Sequence, residues 1–272
     1  MKGLESFTEN DLIKERGKME QRFKLWENSD NGVTIDVFKP LAGKTDIAVV
    51  LFPGGGYGNF SEQEGEGFAR FLTSFGHTAI VVHYRLAPNR FPLQLLDARR
   101  AIRYVRHNAE NFGISKEKIL VMGSSAGGHL ASIVSTYLEK IDGEGIDEID
   151  NEEFLPNGQI LCYPVITSDE KYGHMSSYEN ILGERFDEKD KYSPEKLVTD
   201  VTPKAFLWHT SNDASVNVIN SYLYAAELRK HGIPHELHVY PEGRHGLGSA
   251  PECPHVANWM ELLRSWIIRN YQ

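Results

Sequence analysis

A mostly parallel β-sheet with helices on both faces is the fold class that this 272-residue sequence predicts. Three observations lead to it. Short aliphatic runs of strand length alternate with amphipathic helical stretches along most of the chain, and glycines stand where several of those helices should end. No apolar run approaches the ~20 residues needed to span a bilayer. Parallel strands require crossover connections, and the alternating helices supply them.

Taken in order, residues 33–38 and 47–52 read as strands. A helix is expected over 62–75, where Phe68, Phe71, Leu72 and Phe75 recur at helical spacing and Gly76 occupies the C-cap place. The run TAIVVHY (78–84) is the next strand. The helix expected over 93–111 carries Leu95, Ala98, Ile102 and Val105 on one face, with Gly113 beyond its end. KILVMG (118–123) is a strand leading into a helix at 127–139. QILCYPVI (159–166), KAFLWHT (204–210) and HELHVYP (235–241) complete the strand series, with helices expected over 216–230 and 256–270. The last helix has an apolar stripe of Trp259, Leu262, Leu263, Trp266 and Ile267.

Two stretches interrupt the alternation. Residues 1–30 are expected to form a helical or irregular N-terminal extension. Residues 167–203 are longer than a simple crossover needs and are expected to form a small lid, because long loops at the carboxyl ends of strands are where α/β folds build substrate sites. No linker composition is visible, so residues 1–272 are expected to be one domain.

Composition narrows the function. Hydrophobic residues at 40% and charged residues at 25% are those of a globular protein, neither disordered nor membrane-embedded. The first residues mix acids and bases with no apolar core, so no secretory signal is read and a cytoplasmic location is expected. Cys162 and Cys253, the two cysteines, make neither a disulfide framework nor a cysteine metal site. His235 and His238 are three apart on a strand and face opposite sides, so they make no metal site either. The net charge of −9 includes Asp142, Glu144, Asp147, Glu148, Asp150, Glu152 and Glu153, with no Lys or Arg among them. This stretch reads as a solvated surface loop; its spacing does not match a calcium-binding EF-hand. An acidic surface argues against nucleic acid as a partner.

The segment GSSAG, residues 123–127, carries the first chemical signal. G-x-S-x-G is satisfied only with Ser125 at its centre, flanked by Gly123 and Gly127; centred on Ser124, the glycine positions would be Met122 and Ala126. The glycines have a steric reason, since a strand turning sharply into a helix leaves no room for side chains two residues from a strained serine. Ser125 is therefore the candidate nucleophile.

A serine hydroxyl needs a base, and the base needs an orienting carboxylate. SNDASV follows the strand at 204–210 and offers Asp213. EGRHGLG follows the strand at 235–241 and offers His245 in a glycine-bounded loop. The order Ser125, Asp213, His245, each beyond a strand's carboxyl end, is that of serine hydrolases built on open parallel sheets. The tetrahedral intermediate also needs fixed donors for its oxyanion. LFPGGGYGNF follows a strand, and the backbone N–H groups of Gly55 and Gly56, with that of Ala126, are expected to supply them.

These motifs resemble those of the α/β-hydrolase esterases. PGGGYG is similar to the HGGG oxyanion loop, with Pro53 in place of its histidine. YRLAP, residues 84–88, resembles a segment of acetyl esterases and the hormone-sensitive-lipase group. GSSAGGHLA with SNDASV and GRHGLG most resembles the bacterial carbohydrate esterases of acetyl-xylan and feruloyl type. The resemblance implies an α/β-hydrolase fold and a serine carboxylic-ester hydrolase acting on short acyl esters of small molecules, acetylated sugars or xylo-oligosaccharides among them. It implies an acyl-enzyme and no metal or organic cofactor. Tyr57, Phe60 and Tyr163, near expected strand ends, are then candidates for stacking on a sugar ring, with core packing an equal alternative for Tyr163. Some relatives of this type carry xylanase-like names, yet no pair of glycosidase carboxylates stands out.

The Pro53 departure touches support of the loop rather than the chemistry. Arg85 is expected to pair with Asp97 in the following helix. A peptidase or arylformamidase using the same residues, and a non-catalytic binding module, are the alternative readings. A homodimer is compatible with the sequence but is not written in any linear pattern.

Overall fold

The computed structural model describes residues 19–26 and 31–272. Eight strands form one sheet: β1 (Met19–Lys24), β2 (Thr34–Phe38), β3 (Ala48–Phe52), β4 (Thr78–His83), β5 (Ile119–Ser124), β6 (Gly158–Cys162), β7 (Ala205–Thr210) and β8 (His235–Tyr240). Their spatial order is β1-β2-β4-β3-β5-β6-β7-β8. β2 runs antiparallel to both β1 and β4, and every pairing from β4 to β8 is parallel. β3, β5, β6 and β7 are buried along their whole length, because helices cover both faces and leave no polar side to alternate.

The helices are α1 (Phe68–Ser74), α2 (Leu93–His107), α3 (Ala109–Phe112), α4 (Ala126–Thr136), α5 (Met175–Leu182), α6 (Ile219–Lys230), α7 (Pro254–Ala257) and α8 (Trp259–Tyr271). One apolar layer joins the sheet to α2, α4 and α6 through Leu95, Ile102, Leu130 and Leu228. The opposite layer uses Phe68 and Leu72 of α1 with Trp259, Leu263 and Trp266 of α8. Trp208 of β7 stacks on Trp259, ring centroids 5.0 Å apart and 18° from parallel, which seats the last helix on the sheet.

Several boundaries differ from expectation for local reasons. The helix expected over 62–75 opens as a π-helical turn, Gln63–Gly67, before α1. The one expected over 93–111 breaks at Asn108 (φ −95°, ψ 19°) into α2 and α3, and Gly113 closes it in the left-handed conformation. α6 starts at Ile219 because residues 213–216 are spent in a turn around Asp213. Tyr163, at φ 38°, turns the chain out of β6.

Two expectations are corrected outright. Within the stretch read as a helical or irregular extension, Met19–Lys24 is an edge strand; Phe23 packs beside Phe112, and Arg22 forks onto both oxygens of Asp36 at 2.6 and 2.7 Å. Residues 1–18 and 27–30 of that stretch lie outside the described residues. The acidic stretch is also not simply a solvated loop. Arg99 and Arg103 of α2 hold Glu144, and Arg100 holds Asp147 and Asp150. Phe154 lies 4.0 Å from the Arg99 guanidinium carbon, as ring centroid. The carboxylates have no basic neighbour in sequence because their partners project from a helix some forty residues upstream.

Arg85 does pair with Asp97: two guanidinium nitrogens donate at 2.9 and 2.6 Å, and the Arg85 amide donates at 3.0 Å. Residues 167–203 hold α5 and two 3₁₀ segments, Gly183–Tyr192 and Pro194–Lys196. Among the described residues, no helix is long and apolar enough to cross a membrane.

Candidate active site

The carboxyl ends of β3, β5, β7 and β8 carry the expected functional residues. β5 ends at Ser124 and α4 begins at Ala126, so Ser125 makes the whole turn alone, at φ 53° and ψ −121°. That conformation is strained for a residue with a Cβ. Close packing maintains it. A Cβ on Gly123 would lie 2.0 Å from the Gly127 oxygen, and one on Gly127 would lie 1.9 Å from the Phe52 oxygen. The Ser125 amide donates to the Cys162 carbonyl at 3.0 Å, and its own carbonyl accepts from His129 and Val165.

The structure brings Ser125, His245 and Asp213 together. His245 Nε2 stands 2.8 Å from Ser125 Oγ, and His245 Nδ1 stands 2.6 Å from Asp213 Oδ2. Asp213 Oδ1 accepts the amides of Ser215 and Val216, each at 2.9 Å, so the carboxylate is pinned by its own turn. Burial by itself would raise the Asp213 pKa. Hydrogen bonds with His209 and His245, the His245 charge and the Val216 amide outweigh it and hold the carboxyl well below its ordinary range. His209 is buried beneath, with Nε2 2.9 Å from the Val216 carbonyl and 3.4 Å from Asp213.

The loop after β3 runs through Gly55, Gly56 and Tyr57, all at positive φ (127°, 63° and 62°). Gly55 is also sterically compelled, since a Cβ there would fall 2.2 Å from the Asn59 carbonyl oxygen. Among the described residues, the amides of Gly55, Gly56 and Ala126 have no protein acceptor, whereas the Gly54 amide is taken by Glu64 at 2.9 Å.

The support a histidine would give the loop is divided among other residues. The Tyr84 hydroxyl donates to the Pro53 carbonyl at 2.5 Å, and Asn180 of α5 donates to the Gly56 carbonyl at 2.8 Å. The Tyr57 hydroxyl meets His129 Nδ1 at 2.7 Å.

The aromatic expectations divide. Tyr57 is fully buried and bound to His129, so it presents no face to a substrate. Tyr163 is also buried, edge-on to His245 at 5.1 Å, with its hydroxyl donating to Glu64 at 2.7 Å. Their polar ends found partners in the loop's own scaffolding, which a linear reading cannot locate. Phe60 is partly exposed and lines a cavity of about 550 Å³ with Arg22, Asp36, Ser61 and His83; none of Ser125, Asp213 and His245 is in its wall. His245 itself opens onto a different cavity, about 610 Å³, lined by Asn212, Ala214, Ser215, Arg244 and His255.

Three supporting residues had no motif to announce them, Glu64, His209 and Asn180; His129 lies within GSSAGGHLA, but nothing in the sequence gave it a role of its own. His174, at the head of α5, also had no motif. Burial and then the His245 charge lower its imidazole pKa, and the Asp213 charge opposes them.

A parallel sheet with this serine turn, histidine loop and glycine loop at its carboxyl edge defines the α/β-hydrolase class. The BD-FAE family model matches residues 35–228, and the chain belongs to that family. It is 36% identical over 212 residues to endo-1,4-beta-xylanase B of Butyrivibrio fibrisolvens, covering 75% of this chain and 33% of that protein. It is 32% identical over 259 residues to the acetylxylan esterase of Xylanibacter ruminicola, covering 91% of this chain and 50% of that one. The chain thus spans half or less of these two relatives. Among solved structures, the acetyl ester-xyloside bifunctional hydrolase from Caldicellulosiruptor lactoaceticus superposes with a TM-score of 0.85 at 38% identity, covering 92% of this chain and 96% of that one.

Proposed function

We propose that this protein is a serine carboxylic-ester hydrolase acting on short acyl esters of polar alcohols, acetylated sugars or xylo-oligosaccharides in particular. The observation that carries the reading is the hydrogen-bonded line from Ser125 Oγ through His245 to Asp213 at a strained strand-to-helix turn. In this reading His245 removes the Ser125 proton as the oxygen attacks the ester carbonyl. Asp213 holds the imidazole with Nδ1–H toward itself and Nε2 toward the serine. The amides of Gly55, Gly56 and Ala126 receive the oxyanion, and being fixed before the reaction they need no reorganisation during it. The imidazolium then protonates the departing alcohol, and water, activated by the same base, releases the acid from the acyl-enzyme.

The alcohol is protonated by His245 and so leaves on that side of the site. The cavity there includes Asn212, Ser215, Glu242, Arg244 and His255 beside Ala214, Gly243 and Cys253, so polar side chains are at hand for a hydroxyl-rich leaving group. The relatives named for acetylxylan and acetyl-xyloside hydrolysis support the same substrate class. The described chain, organised on one sheet, is proposed to act as one catalytic domain.

A panel tests this: p-nitrophenyl acetate, butyrate and octanoate, acetylated xylo-oligosaccharides, a peptide anilide and N-formylkynurenine, each with wild type and Ser125→Ala. Acetyl esters should be preferred, and Ser125→Ala should lose turnover on them while unfolding at the wild-type temperature. Cleavage of only the anilide or the formamide would overturn the ester reading.

A further inference from the structure

We propose that Glu64 is a positioning residue of the hydrolytic site, a single buried carboxylate that sets the oxyanion loop and the histidine loop at a fixed distance from each other. This rests on the reading of Ser125, His245 and Asp213 given above. Glu64 lies in the π-helical turn and is 5% exposed. Its two oxygens do separate jobs. Oε2 accepts the Gly54 amide at 2.9 Å, at the root of the oxyanion loop. Oε1 accepts the Tyr163 hydroxyl at 2.7 Å, and that hydroxyl oxygen accepts the Gly248 amide at 3.2 Å, three residues past His245. The adjacent Gln63 adds a second tie to the histidine loop, donating to the Leu247 carbonyl at 3.1 Å.

Both partners on Glu64 are donors, one to each oxygen, a pattern that suits an ionised carboxylate. The space around it allows no substitute for the contact. A Cβ on Gly54 would fall 2.5 Å from Glu64 Oε2, so the loop backbone approaches the carboxylate only because position 54 has no side chain. The same carboxylate lies beside the histidine loop, with Oε1 3.9 Å from where a Cβ on Gly246 would stand, and the Tyr163 ring that it binds meets His245 edge-on at 5.1 Å. Burial raises the Glu64 carboxyl pKa, and the Tyr163 hydroxyl, the Gly54 amide and the His245 charge oppose that rise.

The groups against His245 are Ser125 on Nε2, Asp213 on Nδ1, the Tyr163 ring at its edge and Arg244 beside it, whose guanidinium is bound to Glu252 and to the His245 carbonyl. Tyr84 and Cys162 sit close enough to Glu64 for its charge to add to burial in raising their own pKa values, so they stay neutral. Glu64 thus joins the root of the loop after β3 to the loop that carries His245.

The experiment compares wild type, Glu64→Gln, Tyr163→Phe and Ser125→Ala on p-nitrophenyl acetate, with active sites counted by a phosphonate-ester titrant. Glu64→Gln keeps the size of the side chain but offers one acceptor where two are needed. It should lower kcat per titrated site roughly 10- to 100-fold with KM changed less than about threefold. Tyr163→Phe removes the hydroxyl that joins Glu64 to Gly248, so kcat per titrated site should fall there too, with KM again little changed.

A purely structural role would lower the unfolding temperature or the titratable fraction and leave kcat per site unchanged; that result overturns the proposal. If Glu64→Gln does not fold, unchanged kcat per site in Tyr163→Phe overturns it equally. Hydrolysis surviving in Ser125→Ala would instead overturn the reading of the site beneath it.

Discussion

The Tyr57 hydroxyl and His129 Nδ1 stand 2.7 Å apart in a fully buried setting, joining the loop after β3 to the helix that begins at the strained serine. His129 Nε2 lies 2.8 Å from the Tyr192 carbonyl, which can only accept, so Nε2 carries the proton and Nδ1 accepts from Tyr57. One imidazole thus ties together the loop after β3, α4 and the insert. Tyr57→Phe keeps the ring and leaves Nδ1 buried without a donor. It should cost about 1–2 kcal/mol of stability, read by chemical denaturation, and should lower kcat on p-nitrophenyl acetate. An unchanged denaturation midpoint would show that the bond does not bear on the fold.

Asp213→Asn removes the charge that orients His245 while preserving volume. With the site read as above, kcat should fall by about 10⁴-fold, because an amide cannot hold the imidazole in the tautomer that accepts the serine proton. Steady-state kinetics with an active-site titration checks this. A loss of less than about tenfold would remove Asp213 from the assigned role.

Acid should destabilise the protein in a defined window. Burial lowers His129 to about 4, and burial together with the Arg264 charge lowers His77 to about 4. Both are neutral when folded and would titrate near 6.5 in the unfolded chain. The unfolded state therefore binds more protons between pH 6.5 and 4. The stability from this source is complete above that window and is lost as pH falls through it, each histidine accounting for about 3 kcal/mol. The buried carboxyls of Glu64, Asp97 and Glu195 are raised, first by burial, and work in the opposite direction. The comparison is therefore between wild type and His77→Asn. The variant should show a shallower fall of unfolding free energy from pH 7 to 5, and equal slopes would contradict the expectation.

The acidic stretch offers a contrast between two glutamates. Glu144 meets Arg99 and Arg103 at 3.0 and 2.9 Å, with the Arg99 side chain wholly buried. Glu148 is 82% exposed. Glu144→Ala leaves a buried guanidinium short of a counter-charge and should cost about 3–5 kcal/mol. Glu148→Ala should change stability by less than about 0.5 kcal/mol. Thermal unfolding of the two variants distinguishes a structural clamp from a solvated loop.

Much of the site could be read from short motifs because its chemistry demands them. Ser125 needs glycines two residues away on either side, and Asp213 and His245 follow recognisable strands. What had no signal were the residues whose roles arise from meeting something distant. Glu64 reads as one acid in an ordinary amphipathic helix, yet it binds Gly54 and Tyr163. Tyr57 and Tyr163 look like exposed loop and strand-end aromatics until the packing shows their hydroxyls engaged inside. Met19–Lys24 became a strand because an antiparallel partner lay beside it, not because of its own composition.

The amino-acid sequence by itself determined the α/β class, the alternation of strands and helices and the identity of the serine that occupies the turn, since these depend on local periodicity and on steric needs within a few residues. Only the tertiary structure decided that Ser125, His245 and Asp213 lie within hydrogen-bonding reach, that the acidic stretch is clamped by α2, and that a glutamate and a histidine bind the glycine loop after β3. Those outcomes depend on distances between residues tens of positions apart, which the packing of the sheet sets.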